Sequence, residues 1–193
     1  MLMLSLDIET TGLDPLKHGT VQLGGIMFLT EGRLLKEVEL MVNFENYVWT
    51  NFCLKLHYNL IKPYLFDGKE FDCTPENALD IFKGHFHGFW PANQKISVTG
   101  KNPSFDVGFL KMLPGGDRWV RDNFDHRLVD PTHWYMRSSD PKPPGLSGCK
   151  GRAIEEGCKA WETVDVAHTA LADTYDVAQL VMWAYSEGKV PKC

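Results

Sequence analysis

The sequence predicts an α/β fold whose mixed central sheet is flanked by helices. Three strand-like segments follow one another near the start of the chain, separated by short turn-forming sequences. Further short strands then alternate with helix-like segments up to residue 187. With 193 residues, 44% of them hydrophobic, the chain is long enough to form a single domain over residues 1–193 with a full core.

The first three strands are predicted from apolar runs and the turns between them. Met1–Leu6 is a short apolar run of the kind found in buried strands. Thr20–Leu29 is a second strand, whose paired glycines indicate a bulge or a close backbone approach. Thr30–Arg33 is a hairpin turn, and Leu34–Val42 then alternates apolar and polar residues. Short turns join strands in antiparallel order, so these three should form an antiparallel sheet.

The rest of the chain is predicted to alternate between helix and strand. The first expected helices are one over Asn51–Leu60 ended by Pro63 and one that starts at Thr74 and Pro75. A strand over Ile96–Gly100, a helix containing Val107, Phe109 and Leu110, and a strand end at Arg127–Asp130 should follow. The chain should then form a loop over Ser138–Ser147 and helices over Gly148–Gly157 and Ala170–Glu187. The aromatic-rich segment Phe44–Phe71 has no assigned role.

The composition favours a cytoplasmic protein without a membrane anchor. No apolar run approaches the length of a membrane span, and a candidate catalytic strand starts at the first residue, where a signal peptide would otherwise lie. The five cysteines are odd in number and contain no CxxC pair. They are therefore interpreted as reduced thiols, and neither a disulfide framework nor a zinc site is predicted.

Charge is unevenly distributed along the chain. The net charge is −5, but Lys95–Lys159 holds 11 Lys/Arg against 8 Asp/Glu, a local +3. The rest holds 9 against 17, which is −8. A mildly basic face beside an acidic centre suits a phosphodiester substrate, although ordinary surface variation explains the asymmetry equally well.

The first strand leads into two closely spaced carboxylates, Asp7 and Glu9. Residues i and i+2 of a strand share one face, so both side chains should project together. Like charges held this close raise each other's pKa unless a cation lies between them, and a hard divalent ion such as Mg²⁺ is the natural partner. Thr10–Gly12 then breaks the strand, and its backbone N–H groups and hydroxyls are expected to face a ligand.

An alternative for this pair is a solvated strand edge. Same-face acidic pairs also occur at Glu37/Glu39 and Glu70/Asp72, so the spacing alone is not specific. Glu37 and Glu39 alternate with apolar residues as a half-exposed strand should. Asp7 and Glu9 differ because they end a buried strand and precede a Thr-Thr-Gly turn.

Two further acidic residues are placed where the predicted fold can bring them to this pair. Three antiparallel strands followed by alternating strands and helices match the ribonuclease H-like layout. Asp106 opens a helix just after a strand, and Asp173 lies in the first turns of the last helix, five residues after His168. Taken singly, Asp106 can be a helix N-terminal carboxylate, Asp173 an exposed helix residue and His168 a packing residue.

In the combination of these motifs the chain resembles the DEDDh exonucleases, which include polymerase proofreading domains, ribonuclease T and oligoribonuclease. The first family motif is similar to Ser5–Gly12, the second to Asn102–Asp106, and the third to His168 with Asp173. Gln22–Gly25 is a supporting fit, because the family usually carries an Ile-Gly-Ala-like strand at this place. The order and wide separation of the motifs agree, and the resemblance covers nearly the whole chain.

The resemblance implies a two-metal active site. Asp7, Glu9, Asp106 and Asp173 would hold two divalent ions, Mg²⁺ or Mn²⁺, and His168 would be the general base. Residues that would contact the terminal nucleotides are Thr10, Thr11, Gly12, Leu13, Asn102 and Phe105. Phe105 can equally be a core residue.

The predicted activity is 3′–5′ exonucleolytic release of nucleoside monophosphates from single-stranded 3′ ends, with DNA slightly favoured and a role in DNA repair or replication. An exoribonuclease of the ribonuclease T or oligoribonuclease kind is the main alternative, because no residue reports on a 2′-hydroxyl contact. A ribonuclease H-type endonuclease lacks the His168-to-Asp173 spacing, and an inactive nucleic-acid-binding module would require a broken site. The oligomeric state is open, a homodimer included.

Overall fold

A mixed four-stranded sheet forms the centre of the protein. The computed structural model describes residues 1–161 and 169–190. The strands are β1 Leu2–Thr10, β2 Thr20–Leu29, β3 Arg33–Met41 and β4 Ser97–Thr99. Their order is β3-β2-β1-β4, with β1 antiparallel to β2, β2 antiparallel to β3, and β1 parallel to β4. The predicted α/β fold with a mixed sheet is confirmed.

Helices cover both faces of this sheet. They are α1 Asn51–Leu56, α2 Tyr58–Phe66, α3 Ala78–His85, α4 Pro103–Met112, α5 Gly116–Asn123, α6 Leu146–Glu155 and α7 Ala170–Ser186, together with a 3-10 helix over Pro131–Tyr135. In the described part of the chain, none of them has the length and apolar character needed to cross a membrane.

β1 is buried on both faces, which explains its continuous apolar run. Leu4 and Leu6 are fully buried in a cluster with side chains of α3, α4 and α5. Met3 points to the other face and packs with Ile26 and Phe28 against α7. Complete burial of an aliphatic side chain contributes roughly 1.5–3 kcal/mol, so this one strand joins two substantial apolar layers.

The paired glycines of β2 let a helix approach each face of the sheet. A Cβ on Gly24 would lie 2.4 Å from the carbonyl carbon of Ala170, at the start of α7. A Cβ on Gly25 would lie 2.5 Å from the Phe82 ring of α3 on the opposite face. The close approach expected from these glycines is therefore present. The register irregularities lie elsewhere, between Glu9 and Thr10 and between Met27 and Phe28.

Three predicted elements differ from the structure. The helix expected over Asn51–Leu60 is two helices separated by His57, and Pro63 lies inside α2, which continues to Phe66. Residues 74–77 form a turn before α3 because the Thr74 N–H donates to Asn77 Oδ1 at 2.8 Å.

The strand expected at Arg127–Asp130 is reduced to one parallel bridge, between Thr99 and Val129. β4 has only three residues, so it offers a neighbouring strand little length for pairing. The helix α5 was not predicted from the sequence, and four of its eight residues are charged.

Candidate active site

The candidate site lies where β1 extends beyond its short neighbour β4. The parallel pairing ends at Ser5 and Thr99, whereas β1 continues to Thr10. Asp7 and Glu9 lie in this extension and are partly exposed. Leu6, which precedes Asp7, and Ile8, which lies between the two acids, are buried. The two carboxylates therefore share one face of the strand, as their spacing predicts.

Asp106 reaches this extension from α4. Beyond Gly100 the chain turns into α4, which begins at Pro103. The Asp106 side chain is 2% exposed, and its Oδ1 accepts a hydrogen bond of 3.1 Å from the Ile8 N–H. Since Ile8 lies between Asp7 and Glu9 in sequence, this bond places the third carboxylate beside the first two.

Asp173 is brought to the same place by the docking of α7. Gln22 Oε1 accepts a hydrogen bond of 3.0 Å from the Ala170 N–H, and Ser5 Oγ donates one of 2.8 Å to the Thr174 carbonyl. These bonds join the first turns of α7 to β2 and to β1. Asp173 lies between the two attachment points, close enough to Asp7, Glu9 and Asp106 for its charge to raise the pKa of each.

The four carboxylates interact strongly enough to change one another's ionisation. Burial raises the pKa of Glu9 to about 8, with added repulsion from Asp173 and Asp106. Burial also raises the pKa of Asp106 to about 7, and repulsion from Asp173 adds to it against two backbone hydrogen bonds. The pKa of Asp7 is raised by burial and by the other three carboxylates, with the Lys101 ammonium opposing them. Without a cation this cluster is electrostatically unfavourable.

The donor set fits a hard divalent cation, because Mg²⁺ and Mn²⁺ prefer carboxylate oxygens as ligands. A cation between the carboxylates would also offset their mutual repulsion. The side chains are not yet arranged as a closed ligand set. Within residues 1–161 and 169–190, no three His, Cys, Asp or Glu side chains are placed so that they could hold one metal ion. The cluster thus has the donor chemistry of a metal site without the geometry of a closed ligand set among the described residues.

The hydroxyls of the Thr-Thr-Gly turn after β1 each form a hydrogen bond within the protein, whereas the sequence pattern predicted that they would be free to face a ligand. Thr10 Oγ1 donates a 2.7 Å hydrogen bond to the Gly12 carbonyl, and Thr11 Oγ1 accepts one of 3.0 Å from the Gly19 N–H. Both threonines are buried. A Cβ on Gly12 would lie 2.4 Å from the ring of His18, so glycine permits the packing of the loop. The polar groups of the turn stabilise the turn itself.

The other expected substrate contacts are placed differently from one another. Leu13 is 71% exposed at the tip of the turn. Asn102 is exposed and has a left-handed backbone with φ 54°, held by a 3.0 Å hydrogen bond from its N–H to Asp130 Oδ2. Such strain in a non-glycine residue often marks a functional position. Phe105 is half-buried, and its ring centroid lies 5.0 Å from that of Phe109.

A histidine that was not predicted from the sequence contacts the carboxylate cluster, whereas the expected general base, His168, lies outside the described residues. His57, between α1 and α2, is buried, and its Nε2 lies 3.4 Å from Glu9 Oε2. Sequence reasoning missed it, because a lone histidine in an aromatic-rich segment carries no spacing signal. Lys101 was also missed as the cation that acts on Asp7.

Comparison with solved structures finds similarity to Exonuclease I from two bacteria. The complex of E. coli Exonuclease I with a dA16 oligonucleotide has a TM-score of 0.66 and 15% identity, and covers 96% of this chain and 41% of that chain. Exonuclease I from Methylocaldum szegediense has a TM-score of 0.60 and 16% identity over 97% and 43%. A zinc-bound E. coli Exonuclease I–ssDNA complex has a TM-score of 0.60 and 18% identity over 96% and 40%.

No family model matches the sequence, and no curated protein matches it. The chain spans about two fifths of the Exonuclease I chains. At these identities the likeness is one of fold, and it extends over nearly the whole of this chain. The protein therefore has the ribonuclease H-like fold of those exonucleases.

Proposed function

We propose that this chain is a metal-dependent 3′–5′ exonuclease that releases nucleoside monophosphates from the 3′ ends of single-stranded nucleic acid. The observation that carries the proposal is the meeting of four carboxylates from three separate elements, β1, α4 and α7, at one end of the sheet. Buried carboxylates in mutual repulsion are costly, and a phosphate-processing metal site gives them a chemical purpose.

Asp7, Glu9, Asp106 and Asp173 would hold the metal ions. When bound, divalent ions there would supply a nucleophilic water at neutral pH and neutralise charge on the departing 3′ oxygen. The Ile8 N–H donates to one oxygen of Asp106 and so holds this carboxylate beside Asp7 and Glu9. Two hydrogen bonds to β1 and β2 hold the α7 turn that carries Asp173. These hydrogen bonds therefore hold Asp106 and the α7 turn that carries Asp173 in position before a metal ion binds.

His168 is the proposed general base, five residues before Asp173. An imidazole with a pKa near neutrality can take a proton from the attacking water at Nε2 or Nδ1. Exposed Leu13 and the strained Asn102 are the proposed contacts of the terminal nucleotides. Phe105, half-buried and packed on Phe109, is the proposed ring on which a terminal base stacks.

DNA is the proposed substrate in preference to RNA. The structural relatives include Exonuclease I complexes with dA16 and dT13 oligonucleotides, which are single-stranded DNA. An exoribonuclease remains the second candidate only on the sequence resemblance, and the same assay tests both.

The test compares single-stranded DNA, double-stranded DNA and single-stranded RNA of equal length, each labelled at the 5′ end, with Mg²⁺ and with EDTA. The proposal expects a descending ladder from single-stranded DNA in Mg²⁺ and no cleavage in EDTA. Cleavage of a circular single strand would identify an endonuclease instead. Full activity in EDTA would contradict the proposed metal dependence.

A matched pair of variants assigns the activity to the carboxylate cluster. Asp7→Asn should lower turnover by several orders of magnitude, because a neutral amide is a poor ligand for Mg²⁺. Asp80→Asn makes the same chemical change at an exposed position of α3 and should leave turnover unchanged. Equal rates for the two purified, folded variants would contradict the assignment.

A further inference from the structure

His57 occupies the joint between two helices of the segment to which the sequence assigned no role. Its N–H donates a 2.9 Å hydrogen bond to the Cys53 carbonyl, and its own carbonyl accepts one of 3.0 Å from the Ile61 N–H. The residue therefore ends α1 and begins α2. Its side chain is only 4% exposed, so both its backbone and its ring are held in place.

The joint is fixed against the first strand at two points. The Thr50 N–H, just before α1, donates a 2.9 Å hydrogen bond to the Thr11 carbonyl in the turn that follows β1. Thr50 Oγ1 also caps α1 by accepting a 3.2 Å hydrogen bond from the Cys53 N–H. The second point is the contact of His57 with Glu9. The position of the imidazole relative to β1 is thus determined by the backbone on both sides.

The imidazole of His57 lies beside the Glu9 carboxylate. Its Nε2 lies 3.4 Å from Glu9 Oε2, whose side chain is 15% exposed. Across residues 1–161 and 169–190, His57 is the one basic side chain whose nitrogen is in contact with the Glu9 carboxylate. The distance is longer than the roughly 2.7–3.2 Å of a formed hydrogen bond, and such contacts commonly tighten when the site is filled.

We propose that His57 is a positioning residue that orients Glu9 for metal binding, an inference that rests on the proposed function of the site. An imidazole N–H directed at Oε2 constrains rotation of the Glu9 carboxylate and leaves Oε1 to face the other three acids. Ligating carboxylates are commonly held by such outer partners, and their loss typically lowers metal affinity by about 10–100-fold. The α1–α2 segment then has a role in the site, because it holds His57 beside Glu9.

The experiment measures Mn²⁺ binding by isothermal titration calorimetry on the whole chain, alongside its melting temperature. His57→Ala should weaken Mn²⁺ binding about tenfold or more, in line with the usual loss of an outer partner. His57→Gln, whose amide can donate a hydrogen bond, should restore part of the affinity. Cys53→Ala is the matched control: it removes a buried side chain from α1 without touching Glu9. It should lower the melting temperature and keep wild-type affinity.

Two results would overturn the positioning role. One is wild-type Mn²⁺ affinity in folded His57→Ala protein. The other is an equal loss of affinity in Cys53→Ala, which would show that α1 packing alone matters. If His57→Ala does not fold, the comparison of His57→Gln with His57→Phe decides, since only the former keeps a donor. Wild-type protein that binds Mn²⁺ but degrades no nucleic acid would refute the proposed function while the affinity series still tests His57.

Discussion

Substitution of Gly24 by alanine tests whether the docking of α7 sets the position of Asp173. An added Cβ would lie 2.4 Å from the Ala170 carbonyl carbon and 2.7 Å from the Leu171 N, both of them backbone atoms that cannot rotate away. Ordinary contact begins at 3.4 Å, so the start of α7 must recede by about 1 Å. Asp173 follows Ala170 by three residues and would move with it. A displacement of about 1 Å in an active site can cost about a hundredfold in rate.

The assay is single-turnover degradation of a 5′-labelled single strand in Mg²⁺, with melting temperature recorded in parallel. Overpacking costs roughly 1–3 kcal/mol, and each kcal/mol shifts the melting temperature of a protein of this size by about 2–4 °C. The variant should therefore remain folded and lose about a hundredfold in rate. Gly84→Ala, in α3 with no atom within 4 Å of the added Cβ, should retain wild-type rate. An unchanged rate and melting temperature in Gly24→Ala would refute the reasoning.

Three further outcomes are expected from the site. In EDTA the melting temperature should fall as pH rises from 4.5 towards 8, because folded Glu9 retains a proton that the unfolded chain has already released. Glu9→Gln should make the melting temperature less dependent on pH, and a melting temperature that rises over the same pH range would contradict the burial of the cluster. His168→Ala should lower turnover about a hundredfold and remove a rise in rate near pH 6.5, about the ordinary histidine pKa, whereas a merely packing histidine would lower only the melting temperature. A 3′-phosphate on the labelled strand should slow degradation, and equal rates on 3′-phosphate and 3′-hydroxyl ends would contradict recognition of a free 3′ end.

The alternation of β1 was readable from the sequence because it is a local property. A strand has a side-chain period of two, so a buried run ending in Asp7-Ile8-Glu9 places two acids on one face whatever surrounds it. The same holds for β2, predicted and observed over Thr20–Leu29. Its paired glycines indicated close backbone approach, and the structure shows a helix against each.

Local patterns alone did not show which internal partner a polar side chain binds or how a helix is packed. The hydroxyls of Thr10 and Thr11 were expected to face a ligand, but the Gly12 carbonyl and the Gly19 N–H bind them. Pro63 was expected to end a helix, yet α2 continues past it. One reason is that a proline removes a single backbone donor, and the packing of buried Ile61 with Phe44 and Met41 can compensate for that loss.

The sequence by itself determined the α/β class, the three antiparallel strands and the same-face pair Asp7 and Glu9, because periodicity, turn residues and i, i+2 spacing are encoded over a few residues. Asp106 and Asp173 were added through the resemblance to a known family, whose motifs lie far apart in the chain. Only the tertiary structure decided that Asp106 accepts from Ile8 across 98 positions and that Gln22 holds Ala170 across 148. It also decided that His57 meets Glu9. Contacts of this range depend on how helices pack on the sheet, and that packing depends on the volumes and shapes of many side chains at once.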